Sequence, residues 1–204
     1  MIPEIERATA PDLQKWWVQI PERLLRGDDS EELILEQIAS ALLQKDPEWI
    51  AFLSQYAYSE DISRRKAALA VLADKTNATP ATERILLDAF HTETADLKLT
   101  ALLGFIQARL FPLTPKELAA LGKSDDELLR AWGMTYLCYA LPEMRVEVLR
   151  KALQSPNPHV REHACDVIGD ERIEDLKEEM KPLLEDPDER VAEAAKYNYF
   201  EMFD

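Results

Sequence analysis

Glycine, cysteine and histidine are scarce in this sequence, and each shortage excludes a class of site. The 204 residues include 5 Gly, 2 Cys and 3 His. With so few glycines, the chain has no glycine-rich loop of the kind that binds phosphate groups. Cys138 and Cys165 do not form a C-x-x-C pair, so we expect two half-buried, reduced thiols rather than a disulfide framework or a redox motif.

The sequence also shows neither a membrane-spanning segment nor a signal peptide. No apolar run approaches the ~20 residues that a membrane-spanning helix needs. Residues 1–7 lack the basic start and the apolar core of a signal peptide. From these absences we expect a cytoplasmic protein that does not bind membranes.

Basic residues are outnumbered by acidic ones. The chain has 24 Lys and Arg against 39 Asp and Glu, which gives a formal net charge of −15. Phosphate backbones and anionic membranes repel such a protein, so we expect no nucleic-acid partner and favour a basic protein partner. The same acidity also suits a protein whose charge only keeps it soluble.

What the sequence does contain is a short pattern that returns at nearly constant spacing. It reads Val-Arg-Glu-His-Ala at 160–164 and Val-Ala-Glu-Ala-Ala at 191–195, with weaker copies upstream. The five copies begin at residues 63, 97, 129, 160 and 191, so the steps are 34, 32, 31 and 31. A period of this size is typical of a solenoid of stacked helical repeats.

Helix start and stop signals predict two antiparallel helices in each repeat. In the fourth repeat these are 142–153 and 158–168, separated by a Ser-Pro-Asn-Pro turn, with Gly169 as a left-handed helix end. The fifth repeat follows the same plan, with a helix over 172–184 and another from Glu189 towards Met202. A small residue in each second helix allows neighbouring helices to approach closely: Ala67, Ala101, Gly133, Ala164 and Ala195.

These elements predict an all-α fold, a right-handed α-solenoid of stacked antiparallel helix pairs. We expect one domain over residues 1–204. It consists of an N-terminal helical cap over 1–45 and about five helix pairs over 46–204. One helix pair cannot bury its own apolar face, so neighbouring pairs must stack and the terminal pairs act as caps.

The pattern resembles the HEAT-repeat family, especially the short bacterial form found in phycobilisome-lyase-like proteins. The residues that carry the resemblance are the turns Ser-Pro-Asn-Pro at 155–158 and Asp-Pro-Asp at 186–188, and Val-Arg-Glu-x-Ala at 160–164. It covers roughly residues 46–204. In this family the second helices line a concave surface where partners usually lie, so the resemblance implies a non-catalytic scaffold or adaptor for another protein.

The second helices supply a candidate binding face. Ten of their side chains are predicted to point away from the core: Arg65, Leu69, Leu99, Leu103, Trp132, Thr135, Glu162, Asp166, Glu193 and Tyr197. An exposed apolar patch rimmed by charge is typical of a partner site.

The two halves of this face differ in character. We expect the leucines at 69, 99 and 103, together with Trp132, to anchor a partner. The carboxylates of Glu162, Asp166 and Glu193 would steer a basic one. Two alternatives remain open: the N-terminal helices, with Trp16 and Trp17, fold over the leucines, or Trp132 is a core residue.

One short motif suggests metal chemistry. His159, Glu162 and His163 match H-x-x-E-H, the inverted zinc-protease motif, and Asp166 falls on the same helix face. Because Val-Arg-Glu belongs to the repeat pattern, two histidines alone create the match, and no third ligand is evident. We therefore predict no metal site, no cofactor and no catalytic residue.

Two enzyme families built from similar repeats lead to the same prediction. Deoxyhypusine hydroxylase resembles this fold and binds iron through several His-Glu pairs, whereas this sequence has one reversed pair, Glu162-His163. HEAT-like alkylpurine DNA glycosylases hold DNA in a basic groove, whereas acidic side chains share the corresponding face here.

Three other functions stay open at this point. The protein is an acidic immunity protein or antitoxin that neutralises a cationic toxin, a lyase subunit or chaperone that handles a bilin, or a repeat protein without activity. The irregular early repeats argue against the last of these when it is taken as a designed array.

Overall fold

A computed structural model describes residues 2–25, 30–77, 79–92 and 94–201. Within these residues the chain forms α-helices and short 3₁₀ segments and no strand, which confirms the all-α prediction. The chain divides into two compact units, Met1–Leu110 and Phe111–Asp204. We call them unit 1 and unit 2 and describe each by itself; the single domain over 1–204 stays a prediction.

Unit 1 has seven α-helices among its described residues. They are α1 (Pro3–Arg7), α2 (Ala10–Val18), α3 (Glu31–Lys45), α4 (Trp49–Tyr56), α5 (Ile62–Leu72), α6 (Pro80–Phe90) and α7 (Ala95–Ala108), with a 3₁₀ turn at Lys75–Asn77. Polar residues begin several of them, because a side-chain oxygen accepts from a backbone N–H that the helix leaves unpaired. Ser30, Asp61 and Thr79 do this for α3, α5 and α6.

The N-terminal helices are part of the core of unit 1. Trp17 is fully buried in one cluster with residues of α3 and α5, and its ring meets Tyr56 edge-on at 5.2 Å. Arg64 of α5 donates to the carbonyl oxygens of Trp17 and Val18, both at 2.8 Å. A cation at a helix C-terminus satisfies carbonyls that would otherwise lack partners, so Arg64 fastens α2 to α5.

Unit 2 has six α-helices among its described residues. They are α8 (Pro115–Leu121), α9 (Glu127–Ala140), α10 (Arg145–Ala152), α11 (Pro158–Asp170), α12 (Glu174–Lys177) and α13 (Glu189–Phe200), with 3₁₀ segments at Pro142–Met144 and Glu178–Glu185. The second helices of the pairs, α9, α11 and α13, pack side by side. The predicted end of the last helix, Met202, lies outside the described residues.

Two boundary predictions for unit 2 are wrong, for one reason. Gly169 does not end α11 in a left-handed conformation; the helix continues to Asp170, and Arg172 takes the left-handed conformation with φ 47°. The next helix therefore cannot begin at 172 and begins at Glu174. Gly169 is small because α13 lies close by: a Cβ there would stand 2.0 Å from Asn198 Oδ1.

The small residues predicted for the second helices are all buried in the structure. Ala67, Ala101, Ala164 and Ala195 have no exposed surface. At Gly133, an added Cβ would lie 2.9 Å from Leu121 Cβ in α8. Close helix approach therefore explains the residue that recurs at this point of each repeat.

Turns join successive helix pairs in unit 2 through polar contacts. Arg161 of α11 forms a two-pronged ion pair with Asp186, at 2.8 Å from Nε and 2.7 Å from Nη2. The two side chains are 13% and 4% exposed. A bidentate arginine–carboxylate pair fixes geometry as well as contributing energy, so this pair sets the position of the turn before α13 relative to α11.

Candidate functional site

The ten residues predicted for the binding face fall into both units. Unit 1 holds Arg65, Leu69, Leu99 and Leu103, and unit 2 holds the remaining six: Trp132, Thr135, Glu162, Asp166, Glu193 and Tyr197.

In unit 1 the predicted apolar patch is not fully present. Leu69 is 0% exposed, so it is a core residue and not an exposed anchor. The physical reason is that α5 packs against α3, α4 and α7, which leaves little of its circumference for solvent. Leu99 and Leu103 are half-buried.

Arg65 and the N-terminal tryptophans also differ from simple surface residues. The Arg65 side chain is half-buried, and its Nε is buried without a hydrogen-bond partner. Trp17 packs in the cluster that contains Ala67 and Ala68 of α5, so the N-terminal helices do cover part of this helix. Trp16 is half-buried, with the Arg23 guanidinium 4.9 Å from its ring centre.

In unit 2 the candidate site is built around His163. The Trp132 ring meets the imidazole edge-on, with centres 4.3 Å apart and planes at 81°. The hydroxyl of Thr135 lies 3.4 Å from His163 Nδ1. Thr135 is only 4% exposed, so it contacts the imidazole and cannot contact a partner directly. Its predicted role as an exposed residue of the binding face is therefore wrong.

Carboxylates lie beside this aromatic pair on α11. Glu162 is half-buried and Asp166, one turn later, is exposed. Asp166 accepts a hydrogen bond from Asn198 Nδ2 at 3.0 Å. On α13, Glu193 is exposed and Tyr197 is 60% exposed, so the C-terminal part of the predicted face presents acidic and aromatic groups.

Burial changes the protonation of this site. Removal from water lowers the pKa of His163 to about 4, and the nearby His159 adds to the effect, because burial disfavours the charged form. Asp166 as a whole is exposed, but its carboxylate lies beside the buried Asn198. Partial removal from water therefore raises the pKa of Asp166; the Asn198 hydrogen bond opposes this, while the charges of Glu162 and Asp170 reinforce it. At neutral pH the imidazole is therefore uncharged.

Sequence reasoning missed Asn198. Asn198 is 2% exposed and also donates to the carbonyl of Ala194 at 2.9 Å. The predicted face included Tyr197, whereas the side chain of α13 that contacts Asp166 is that of its neighbour, Asn198. A glycine inside the α11 pattern, Gly169, was the available signal that a side chain from α13 approaches at that level.

The H-x-x-E-H motif does not assemble a metal centre in the structure. Within the described residues, no three His, Cys, Asp or Glu side chains come together in a way that could hold a metal ion. His159 instead faces Arg190, whose Nη1 lies 3.4 Å from both ring nitrogens. Its Nδ1 is 3.6 Å from Glu162 Oε2.

Among the helices of the described ranges, none combines the length and the apolar character needed to cross a membrane.

Comparison with known proteins identifies the region that holds this site. A family model described as HEAT repeats matches residues 114–198. This stretch runs from the turn before α8 to near the end of α13 and includes the three copies of the pattern with the most regular spacing. No curated protein matches the chain.

The matched region carries the functional expectation of its family. HEAT repeats generally mediate protein–protein interactions, and the family is typically a non-catalytic scaffold. Residues 114–198 are therefore similar to HEAT repeats, which agrees with the resemblance seen in the sequence pattern.

Proposed function

We propose that the protein is a non-catalytic scaffold that binds a basic protein partner on the acidic face of unit 2. The acidic face is defined by four side chains of two adjacent helices: Glu162, Asp166, Glu193 and Tyr197. Spacing of four residues places Glu162 with Asp166, and Glu193 with Tyr197, on the same sides of α11 and α13.

One observation carries this proposal. Within the described residues, neither Glu162 nor Asp166 forms an ion pair with a lysine or arginine; Glu162 faces His159, and Asp166 faces the neutral amide of Asn198. The charges of Arg190 and Glu162 interact, but without an ion pair, so lysine or arginine side chains of a partner would make the first close ion pairs of Glu162 and Asp166. Trp132, half-buried beside His163, would supply apolar contact at the edge of this face.

The proposal is tested with a defined basic probe. A fluorescent lysine- and arginine-rich peptide is titrated with the full chain, and binding is followed by anisotropy. The triple variant Glu162→Gln/Asp166→Asn/Glu193→Gln should weaken binding at least about tenfold at low salt, because charged contacts at a recognition face steer and hold a partner.

A matched variant separates this face from the overall charge of the chain. Glu143→Gln/Glu174→Gln/Asp175→Asn removes three exposed carboxylates of the same unit and should bind the peptide like the wild type. If both triple variants weaken binding equally, the net charge binds the peptide and the acidic face has no special role.

The immunity or antitoxin alternative is a special case of the same interaction, in which the basic partner is a toxin. The acidic face would bind a cationic toxin in the same way as any other cationic partner, so it does not single out this alternative. A stable one-to-one complex with a toxin encoded beside this protein would distinguish it from a general adaptor. The bilin-handling alternative has no comparable support from the described residues.

We also infer a reducing, cytoplasmic environment. Cys138 and Cys165 are both free, and they are fully buried rather than half-buried as expected. Burial raises the pKa of each thiol to about 12. Both thiols therefore stay protonated and unreactive at neutral pH. Thiol titration should find two free thiols only after unfolding; a disulfide in the protein purified from its host would contradict the inference.

A single domain over residues 1–204 is likewise our proposal, and tryptophan placement allows a test. Trp132 is the tryptophan of unit 2, whereas Trp16, Trp17 and Trp49 lie in unit 1. In Trp132→Phe, fluorescence therefore reports on unit 1 and circular dichroism on both units. Coincident urea transitions would support one cooperative domain; separated transitions would show two.

A further inference from the structure

The turns before α9, α11 and α13 are built on one plan. Their N-cap residues are Asp126, Asn157 and Asp188, spaced by 31 residues. Two residues earlier stand Ser124, Ser155 and Asp186. Each of these side chains accepts a hydrogen bond from the backbone N–H of the cap, at 3.2, 3.2 and 2.9 Å.

Four residues after each of the first two caps stands an arginine, and both arginines make the same contact with the turn. Arg130 Nη1 donates to the carbonyl of Ser124 at 2.6 Å, and Arg161 Nη1 donates to the carbonyl of Ser155 at 2.8 Å. The remaining donors of Arg161, Nε and Nη2, reach the carboxylate of Asp186 in the next turn.

The equivalent carboxylate is missing one repeat earlier. The residue 31 positions before Asp186 is Ser155, so the turn that follows Arg130 offers it no acid. Arg130 pairs only loosely with Glu127 of its own helix, where Nη2 and Oε1 are 3.7 Å apart and the glutamate side chain is 57% exposed. Arg130 is thus a positioned guanidinium without the carboxylate that its counterpart holds.

A depression of about 430 Å³ lies at this point of unit 2. Its polar lining is Arg130, Ser155 and Asn157, and its apolar lining includes Met134, Pro156 and Val160. The volume is within the range of small-molecule pockets, which combine apolar walls with a few placed polar groups.

Asn157, in the lining of the same depression, has a buried polar atom without a partner. It is 7% exposed, and its Oδ1 accepts from the backbone N–H of His159 at 2.9 Å. This bond fixes which amide atom is which, and it leaves Nδ2 as a buried donor without a partner. A buried unpaired donor is uncommon and calls for an explanation; an acceptor on a bound ligand would provide one.

We propose that this depression, the Arg130 pocket, binds the carboxylate of a short branched aliphatic acid. The carboxylate would occupy the position that Asp186 takes in the next repeat, accepting from the Arg130 guanidinium. Because Asn157 Nδ2 has almost no accessible surface, the Asn157 side chain must shift on binding to donate to the same carboxylate. The aliphatic part would rest on Met134 and Val160. Arginine forks match carboxylates in a bidentate manner that lysine does not reproduce.

Two sources offer this chemistry, a free small acid and the C-terminal carboxylate of a peptide that ends in leucine or valine. The full chain is titrated with 3-methylbutanoate in a buffer without carboxylates, and protein NMR shifts report binding. A pentapeptide ending in free leucine forms the second arm. The neutral amide of each ligand, 3-methylbutanamide or the C-terminally amidated peptide, is the matched control.

The expected result is that at least one carboxylate binds ten times or more tightly than its own amide. If only the peptide acid does so, the source is a chain terminus; if the small acid binds as tightly, it is a free acid. The proposal is overturned if neither acid binds, or if each acid and its amide bind equally.

Ser155→Asp provides the decisive variant, because it would supply the missing carboxylate from within. An aspartate there keeps the turn, since Asp186 makes the same backbone contact at 2.9 Å. We expect Ser155→Asp to raise the thermal unfolding midpoint and to weaken acid binding at least tenfold. Undiminished acid binding by this variant would overturn the proposal.

Arg130→Gln should lose binding as well, whereas Arg150→Gln should keep it. Arg150 is an exposed arginine of the same unit that pairs with Glu179 outside this pocket. Circular dichroism checks that both variants fold. Loss of binding in both would show a general charge effect and would also overturn the proposal.

Discussion

Unit 1 and unit 2 are both built from packed helices, yet different contacts stabilise the helix packing within each unit. In unit 1, aromatic rings carry much of the packing around the N-terminal helices: Trp17 meets Tyr56, and Phe52 meets both Trp49 and Tyr56. In unit 2 the repeats share one turn design, and Arg161 joins one repeat to the next through Asp186.

The comparison explains where the family resemblance is found. Residues 114–198 match HEAT repeats, and this stretch lies within unit 2. Cores accept many combinations of apolar residues of suitable size, whereas a turn that must place a cap and an ion pair accepts few. Regular turn chemistry therefore leaves a clearer sequence signature than a well-filled core does.

The strongest test of this comparison removes the link between repeats. Asp186→Ala leaves the Arg161 guanidinium, 13% exposed as a side chain, without its carboxylate. Loss of one partner of a largely buried pair should lower the free energy of unfolding by about 3 kcal/mol. Urea denaturation measures this, and Asp125→Ala, which changes an exposed aspartate of the same unit, should change it by less than about 0.5 kcal/mol.

The same substitution has a pH signature. The Arg161 hydrogen bond holds the pKa of Asp186 below its ordinary value. A depressed carboxyl pKa contributes stability that is present above the unfolded-state pKa, near 3.9, and is lost as pH falls through the folded-state pKa. The difference between wild type and Asp186→Ala should therefore shrink below about pH 4; an unchanged difference would contradict the ion-pair role.

A second test concerns close helix approach in unit 2. In Gly169→Ala the new Cβ would lie 2.0 Å from Asn198 Oδ1, so α13 must shift and the Asn198–Asp166 hydrogen bond is disturbed. We expect a loss of about 2–3 kcal/mol in unfolding free energy. Gly122→Ala is the control, because its Cβ would make only ordinary contacts at 3.8 Å. A loss of similar size in Gly122→Ala would contradict the claim that close packing against α13 causes the effect at Gly169.

A third test uses the pH dependence of unfolding to measure the contribution of His163, in unit 2, to stability. Burial lowers the pKa of His163 in unit 2 to about 4, whereas an unfolded histidine titrates near 6.5. Between these values the unfolded chain binds a proton that the folded chain does not, so stability falls as pH drops from 7 to 5. The expected loss is about 1–2 kcal/mol, and His163→Gln should abolish that part of it.

The control for this test is a substitution in unit 1 that removes no titratable group. Gln14→Ala changes an exposed amide side chain, which does not titrate, and should leave the pH dependence of unfolding as in the wild type. The raised pKa of Asp166 acts in the opposite direction, which is why the variants are compared rather than the wild type alone. Equal pH dependence in His163→Gln and wild type would show that His163 is not the responsible group.

The smallest expected effect lies in unit 1. Arg64→Lys keeps the charge but loses the pair of bonds from Nε and Nη2 to the carbonyls of Trp17 and Val18. We expect a loss of about 1 kcal/mol. Hydrogen exchange should show faster opening of α2 with little change in α13; equal acceleration in both helices would show that Arg64 does not act locally.

Sequence reasoning was most accurate where local chemistry decides structure. The turns at 155–158 and 186–188, which precede α11 and α13, were predicted correctly because a helix cap satisfies a donor only three or fewer residues away. It was least accurate at Leu69 and Thr135, which were predicted to be exposed and are buried. Their faces depend on which neighbouring helices cover them, and a one-residue change in register turns a side chain by about 100°.

The all-α class, the 31-residue spacing of the later repeats and the small residues at close helix contacts could all be predicted from the sequence, because they follow from hydrophobic period, caps and side-chain size. The tertiary structure was needed to find that Asn198 faces Asp166, that the half-buried His163 is uncharged at neutral pH, and that Arg130 lacks the carboxylate that Arg161 holds. Those properties arise between helices that lie more than twenty residues apart in the chain, where packing sets distance and removal from water sets charge.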